Sequence, residues 1–439
     1  MLMTRQTEYG VSVPSRRISR LARFGGLGAR IAGNMIADGA LRVAKGERPS
    51  INDLLLTPSN AQRVAEQLSQ LRGAAMKLGQ LISMDGGDFV PPELAEILAR
   101  LRSSAYAMPP QQLRRVLNEA WGRDWLKRFQ RFDVRPLASA SIGQVHRAVT
   151  KDGRDLAIKV QYPGVAKSID SDVDNAAALL AVSGIVPNGV DVSPLLTEAK
   201  VQLKQEADYA REGACMERFR ALLKDSSEFV VPRLATDFTT DNVLAMDYVA
   251  GAHIENLASA PSYKRDLVVT HMMRLLMREL FEFRLMQTDP NFANYLYNEE
   301  TDQIALLDFG ATREISEALS QGYRRLLVAG VAQNWDAARE VATEMGLISA
   351  DLAGEHERLL RELFMVAMEP IATDGPFDFG ATDLAKRLSE TGVLLRNDGF
   401  VHVPPPAVVF FHRKFGGLYL LAARMRARVD VRSLLAPYF

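Results

Sequence analysis

The sequence predicts an α+β protein of two lobes, rich in helix, and three observations carry that expectation. Strand signals cluster over residues 131–161, where an alanine- and serine-rich loop sits between strands and a further strand carries Lys159. Helical patterns flank this cluster on both sides. An acidic loop and hairpin then run from Gln287 to Gly310, with Asp289, Asn294 and Asp308 as the oxygen-bearing residues. At 439 residues the chain exceeds one compact core of usual size, so two lobes plus extensions are expected.

Composition narrows the function classes. Apolar residues make up 47% and charged residues 24%, the values of an ordinary soluble globular protein. The net charge of zero argues against a dedicated nucleic-acid binder. The single cysteine, Cys215, rules out a disulfide framework within the chain, points to a reducing compartment and reads as a small helix residue. The six histidines are scattered without metal-ligand spacing, and His146 reads as structural. The longest uncharged stretch, residues 175–190, contains Gly184, Pro187 and Gly189 and falls short of the roughly 20 apolar residues a membrane span needs. The expectation is therefore a cytoplasmic protein without a transmembrane segment, peripheral on the inner face of the membrane.

In chain order, residues 1–14 read as an unstructured arm and 15–130 as a helical extension. The first 35 residues hold six arginines against one acid, Glu8, with Ile18, Leu21, Phe24 and Ile31 at near-helical spacing. Such a helix can lie on an anionic membrane surface, dock on the protein body with its arginines in water, or serve as a targeting segment. The segment Leu71–Leu81, L-R-G-A-A-M-K-L-G-Q-L, makes a smooth small-residue helix face, and Lys77 and Gln80 share one side of it. On its own the segment is equally a plain helix with a solvated lysine.

Residues 131–250 read as the smaller lobe. In P-L-A-S-A-S-I-G-Q-V-H, the side chains of Ala138, Ser139, Ala140 and Ser141 are small enough for backbone N–H groups to approach phosphate oxygens. After a turn at Lys151–Arg154, D-L-A-I-K-V-Q-Y presents Lys159 as a point charge suited to phosphate. An ordinary antiparallel sheet with a small-residue turn is the plainer account; the apolar neighbours of the lysine weigh against it. A long helix is expected over residues 192–224, carrying Glu206, Asp208 and Glu212, with the last two on one face. Carboxylates buried there need a cation, and Lys159 and Lys77 are the candidates. The strand ending in Met246-Asp247-Tyr248-Val249 reads as a hinge, where the backbone of Asp247 and Val249 can meet an adenine edge.

Residues 251–439 read as the larger lobe. A core helix is expected over Asp266–Met286, leading into Q-T-D-P-N-F-A-N. Asp289 and Asn294 lie five apart in a proline-punctuated loop, and the apolar run Ile304–Leu307 delivers Asp308-Phe309-Gly310. This supplies a carboxylate to place at a nucleophile and oxygen ligands for a hard cation. The spacing matches the catalytic loop and D-F-G of protein-kinase-like folds. Helices follow to about Leu395, and after Pro404-Pro405-Pro406 the chain ends in a basic amphipathic helix from Phe410.

Taken together, K-L-G-Q at Lys77–Gln80, A-S-A-S-I-G-Q-V-H at Ala138–His146 and A-I-K at Ala157–Lys159 are joined by E-A-D-Y-A-R-E at Glu206–Glu212, Q-T-D-P-N-F-A-N at Gln287–Asn294 and L-D-F-G-A-T-R-E at Leu307–Glu314. In this order they resemble the UbiB (AarF-type) family of atypical protein-kinase-like proteins, nearest its coenzyme Q biosynthesis branch. The resemblance implies a two-lobed protein-kinase-like fold in which the N-terminal helical extension covers the active site. It implies ATP or ADP with Mg²⁺ as cofactors, Lys159 on phosphate with Glu212 as partner, Asp289 as catalytic aspartate, and Asn294 and Asp308 as metal ligands. Lys77, Gln80, Glu206 and Asp208 would form the family-specific lid, which excludes a protein substrate. The implied activity is that of an ATPase or small-molecule kinase supporting ubiquinone biosynthesis. The alternative is a nucleotide-binding pseudokinase scaffold for quinone-biosynthetic enzymes. Implied partners are an anionic membrane surface or a lipid-like quinone precursor, those enzymes, and a second copy of the chain through G-G-L-G. Ser139, where alanine is common, and Gly213, where alanine is usual, depart from the family pattern. The transmembrane hairpin of some bacterial members is not expected here.

Overall fold

The computed structural model describes residues 108–182, 193–289, 291–398, 400, 402 and 404–439. The basic N-terminal helix and the Lys77–Gln80 motif lie outside the described residues. The chain divides into two compact units: one runs up to Ala214 and includes Arg233–Tyr248, the other holds Cys215–Pro232 and Val249–Phe439. The chain passes between the units three times, one crossing lying between Tyr248 and Val249.

The first unit opens with helix α1 (Pro110–Trp121), with proline at its first position, where the missing N–H costs nothing, and Gly122 at φ 85° as its end. Its buried face of Leu113, Val116 and Leu117 joins the core formed by Leu156, Ile158, Val160 and Val243. Trp121 rings pack on Trp125, Phe129 and Phe238 at centroid distances of 5.9, 5.5 and 5.6 Å, and the indole N–H donates to the Phe238 carbonyl at 2.9 Å. This helix thus packs into the first unit's core.

The sheet follows from the alternating pattern. Strands β1 (Phe129–Phe132), β2 (Ala138–Ser139), β3 (Gly143–Thr150) and β4 (Asp155–Gln161) precede β5 (Phe229–Val230), which belongs to the second unit, and β6 (Val243–Asp247). The order is β1-β3-β4-β6 with β2 paired to β3, all antiparallel. The β3–β4 turn contains Gly153 at φ 88°, a conformation that favours glycine. Register places Lys159 between Val145 and Leu244.

Helices α2 (Val165–Val182), α3 (Ser193–Glu206) and α4 (Tyr209–Leu222) follow β4. The sequence reading did not include α2. It also expected one continuous helix over 192–224, which the structure corrects: Ala207 and Asp208 interrupt it. The exposed Asp208 carboxylate accepts the Arg211 N–H at 2.9 Å and caps α4. Asp208 therefore does not share a helix face with Glu212.

In the second unit a four-stranded sheet runs β5-β10-β9-β7, formed by β5, β7 (Ala252–His253), β9 (Tyr295–Asn298) and β10 (Gln303–Leu306). Helix α5 (Ser262–Arg278) buries Val268, Met272, Leu275 and Leu276. It ends in a π turn at Glu279–Phe283, and Arg284 at φ 48° reverses the chain into β8 (Leu285–Gln287). The helix expected to reach Met286 thus stops eight residues earlier, at Arg278, because the chain turns there and Met286 becomes a strand residue. Strand β8 pairs with β11 (Thr312–Glu314), which precedes the helices expected after Gly310.

The remaining helices are α6 (Glu317–Val331), α7 (Trp335–Glu344), α8 (Gly354–Ala372), α9 (Leu384–Asn397), α10 (Pro406–Met425) and α11 (Val431–Leu435). Helix α10, read from sequence as basic and amphipathic, buries Phe410, Phe411, Leu418, Tyr419 and Met425, and also Lys414. It is a core helix of the second unit rather than a free basic surface. No helix among the described residues is long and apolar enough to cross a membrane.

Candidate active site

In the first unit the site is built on the sheet. Lys159, on β4, donates to both carboxylate oxygens of Glu212 on α4, at 2.8 and 3.0 Å, with the lysine 7% and the glutamate 0% exposed. The ammonium lies 5.4 Å from the centroid of the fully buried Tyr209 ring. The α3–α4 break allows this arrangement. Gln161, at the end of β4, donates its amide N–H to the Ala207 carbonyl at 2.6 Å and so ties the junction to the sheet.

The small-residue loop lies at the edge of the same sheet. Ala138 pairs with Val145 and Ser139 with Gln144, and the Ala140 N–H donates to the Gly143 carbonyl at 2.8 Å. Ala138 and Ser139 are exposed. The Ser141 hydroxyl donates to Glu206 at 2.5 Å, so this carboxylate contacts the loop itself. Gly143 is required where the loop enters β3, since a Cβ there would lie 2.4 Å from the Val160 carbonyl oxygen. His146 is buried between the Asp133 carbonyl and Gln144, at 2.8 Å each, and burial pushes its pKa down, as befits a structural histidine. At the end of β6 the Asp247 N–H donates to the Arg233 carbonyl at 3.0 Å; Val249 begins the second unit's segment.

In the second unit the Gln287–Gly310 stretch folds as a loop, a hairpin and a tight turn. The Asn294 amide donates to the Asp289 carboxylate at 3.2 Å. The Leu307 N–H donates to the Asn294 carbonyl at 3.0 Å, which brings the end of β10 and Asp308 beside the loop. Asp308 accepts the Gly310 N–H at 3.0 Å, and Phe309, fully buried, packs on Phe219 at 5.2 Å. Asp289, Asn294 and Asp308 are each half-buried. Burial, followed by the negative charges of Glu279, Asp289 and Asp308, raises the Tyr295 hydroxyl well above its ordinary range, so it stays protonated.

The oxygen donors here suit a small hard cation. Two carboxylates and an amide oxygen, the amide nitrogen being turned to Asp289, are the kind of set Mg²⁺ uses when substrate phosphates complete its shell. Among the described residues no group of three His, Cys, Asp or Glu side chains gathers as a metal site.

Within each unit, then, the structure joins Lys159 to Glu212, Ser141 to Glu206, and Asp289 to Asn294 beside Asp308. Lys77 and Gln80 lie outside the described residues. Sequence reasoning missed Tyr209 under the lysine, and also the buried Glu279 and Lys414 behind the Asp289 loop. Of these only Tyr209 carries a signal, as part of E-A-D-Y.

Such a sheet with a buried lysine–glutamate pair, and a loop–hairpin with this Asp/Asn/Asp set, define the protein-kinase-like class. The Rv3197 protein of Mycobacterium tuberculosis, solved in complex with erythromycin, matches at TM-score 0.59 over 87% of this chain and 96% of that one, at 23% identity, a likeness of fold. The ABC1 atypical kinase-like domain matches residues 100–342. "Atypical kinase COQ8, mitochondrial" of Saccharomyces cerevisiae is 38% identical over 98% of this chain and 86% of its own length. "Atypical kinase COQ8B, mitochondrial" of Rattus norvegicus is 37% identical over 96% and 80%. The chain belongs to the ABC1 (UbiB) family of atypical kinase-like proteins, in the branch of these relatives.

Proposed function

We propose that this chain is an ATP-dependent atypical kinase or ATPase that supports coenzyme Q biosynthesis from a membrane surface. The bidentate, buried Lys159–Glu212 pair is the observation that carries it, because an ordinary sheet gains little from burying two charges. Lys159 would meet nucleotide phosphates, with the Ala138–Ser141 backbone beside them and the backbone of Asp247 and Val249 along the adenine edge. Asp289 would orient the attacking hydroxyl or water and accept its proton, while Asn294 and Asp308 would hold Mg²⁺. Bound Mg²⁺ supplies charge neutralisation on the transferring phosphoryl group.

Lys77 and Gln80, with Glu206 and Asp208, would form a lid that bars protein substrates, leaving a lipid-like quinone precursor or water as acceptor. Residues 15–130 would be the extension carrying that lid, and 131–250 and 251–439 the two lobes of the site. Membrane attachment would be peripheral, with quinone-biosynthetic enzymes and a second copy of the chain as partners. The test is ATP turnover with and without Mg²⁺, anionic liposomes and quinone head-group mimics. Turnover that requires Mg²⁺ and is lost in Asp308→Asn is expected; equal turnover in that variant sinks the reading.

A scaffold that binds nucleotide without chemistry draws on one contact. The Glu206 carboxylate against Ser141 places negative charge beside the loop where phosphates would sit. Asp289→Asn separates the readings: a scaffold keeps its function in that variant, an enzyme does not.

A further inference from the structure

Between β8, which ends at Gln287, and β9, the described residues form one short 3-10 turn, Phe292–Asn294, so the position of Asp289 depends in part on what grips the loop's ends. One grip is the β8–β11 pairing, where Gln287 faces Thr312 and the Thr288 N–H and hydroxyl both donate to the Ala311 carbonyl, at 3.1 and 2.7 Å. The other lies behind the loop. Glu279, fully buried at the start of the π turn, accepts the Gln287 N–H with one carboxylate oxygen at 3.2 Å and the Lys414 ammonium with the other. The Tyr295 hydroxyl, next to Asn294, donates to the Gln287 side-chain oxygen at 3.3 Å. Gln287 is therefore clamped by main chain and side chain, two residues before Asp289 and eight before Tyr295.

We infer that Lys414, on α10, is a positioning residue for the Asp289 loop, acting through Glu279 and the peptide of Gln287. The inference rests on the reading of Asp289 as the catalytic aspartate. A buried ion pair by itself is weak evidence of stabilisation, and two apolar side chains would fill the same space. What they would not provide is a carboxylate oxygen fixed against the Gln287 N–H. Without a cation on its second oxygen, Glu279 would be buried with half its charge unmet and would be driven to protonate or turn away. The π turn contributes as well: it offers the Leu280 carbonyl to the Ser320 hydroxyl at 2.9 Å, which anchors the turn that presents Glu279.

The experiment uses the full chain as wild type, as Lys414→Arg and as the paired Glu279→Leu/Lys414→Met variant, which removes the acceptor of the Gln287 N–H together with the cation. The pair leaves no unpaired charge in the core and so avoids the destabilisation expected of Lys414→Met alone. Two readouts are taken: amide hydrogen exchange across residues 285–295, and the kcat and KM for ATP. In the paired variant, exchange in that segment rises while the rest of the chain keeps its protection. There kcat falls on the order of 10–100-fold with KM within about twofold, as for a misplaced reacting group. Lys414→Arg restores both. Unchanged exchange and unchanged kcat in a paired variant that melts like wild type would overturn the inference, as would a loss carried entirely by KM. Asp289→Asn is run alongside. Undiminished turnover there removes the catalytic reading of Asp289, while the exchange data still decide whether Lys414 holds the loop.

Discussion

Each unit buries one lysine against one glutamate, and the two pairs are built differently. Lys159 takes both oxygens of Glu212, at 2.8 and 3.0 Å, and lies on a strand beside the exposed small-residue loop. Lys414 takes one oxygen of Glu279, and the other is committed to the Gln287 N–H. In the first pair both carboxylate oxygens accept from the lysine side chain, and under the proposed function a bound phosphate would compete with Glu212 for that ammonium. The second is welded to the main chain, so moving it moves the loop. Burial pushes the Glu279 carboxyl up and the Lys414 ammonium down, and their mutual attraction opposes both shifts. The same two residue types thus meet in both units, and what differs is the group that the second carboxylate oxygen accepts from.

The strongest way to break this comparison is to place arginine at each lysine. Lys159→Arg should cut ATP turnover by about 10²-fold or more, because a planar fork does not replace a point charge on phosphate. Lys414→Arg should retain it. Equal steady-state rates for the two variants would erase the distinction. Removing the cation altogether shifts the emphasis to stability. Lys414→Met should destabilise the second unit by about 3–5 kcal/mol, the cost of a buried glutamate left without its partner, as read by urea denaturation.

A smaller effect tests the surroundings of the first pair. A methyl group at Gly143 would meet the Val160 carbonyl oxygen at 2.4 Å and the Tyr209 hydroxyl at 3.1 Å. Gly143→Ala should cost about 1–3 kcal/mol by overpacking; a melting curve that superposes on wild type would show that the sheet yields there.

The smallest effect belongs to a third, less buried carboxylate in the second unit. Glu228 accepts the Ser226 hydroxyl at 2.6 Å and pairs with Arg274 at 2.8 Å. The Ser226 hydroxyl first, then the nearby His271 and Arg274, hold its pKa below the ordinary glutamate range. A depressed carboxyl stabilises the fold above its unfolded pKa, and that contribution is lost as pH falls through the folded value. Glu228→Gln should therefore lower stability at pH 7 by no more than about 1 kcal/mol, with the difference vanishing in strongly acidic denaturation series.

Much of the candidate site was legible because its chemistry travels in short motifs. Lys159 in A-I-K, Asp289 and Asn294 five apart, and Asp308 behind an apolar strand follow from local pattern, and Lys159 lies on the strand expected, whereas Ala138 and Ser139, expected in a loop, form strand β2. The need of a buried carboxylate for a cation left both Lys159 and Lys77 as candidates, and the pairing of Lys159 with Glu212 was what the family resemblance implied. Helix limits were less legible. Nothing in K-Q-E-A-D-Y marks the break at Ala207, because Asp208 suits a helix N-cap as readily as an exposed helix face. Nor does R-E-L-F-E-F announce a π turn, whose residues are ordinary helix formers. Lys414 was read as part of a basic amphipathic face because charge on a helix is usually solvated.

By itself the sequence determined the class of the protein and singled out the candidate site residues, since these depend on residue types at short spacing that local backbone geometry converts directly into position. The tertiary structure decided which charges are buried and what they hold. Glu279 and Lys414 lie 135 residues apart, and no periodicity relates them. Only the packing of α10 against the end of α5 removes both from water, and in a low-dielectric interior each then has to find the other.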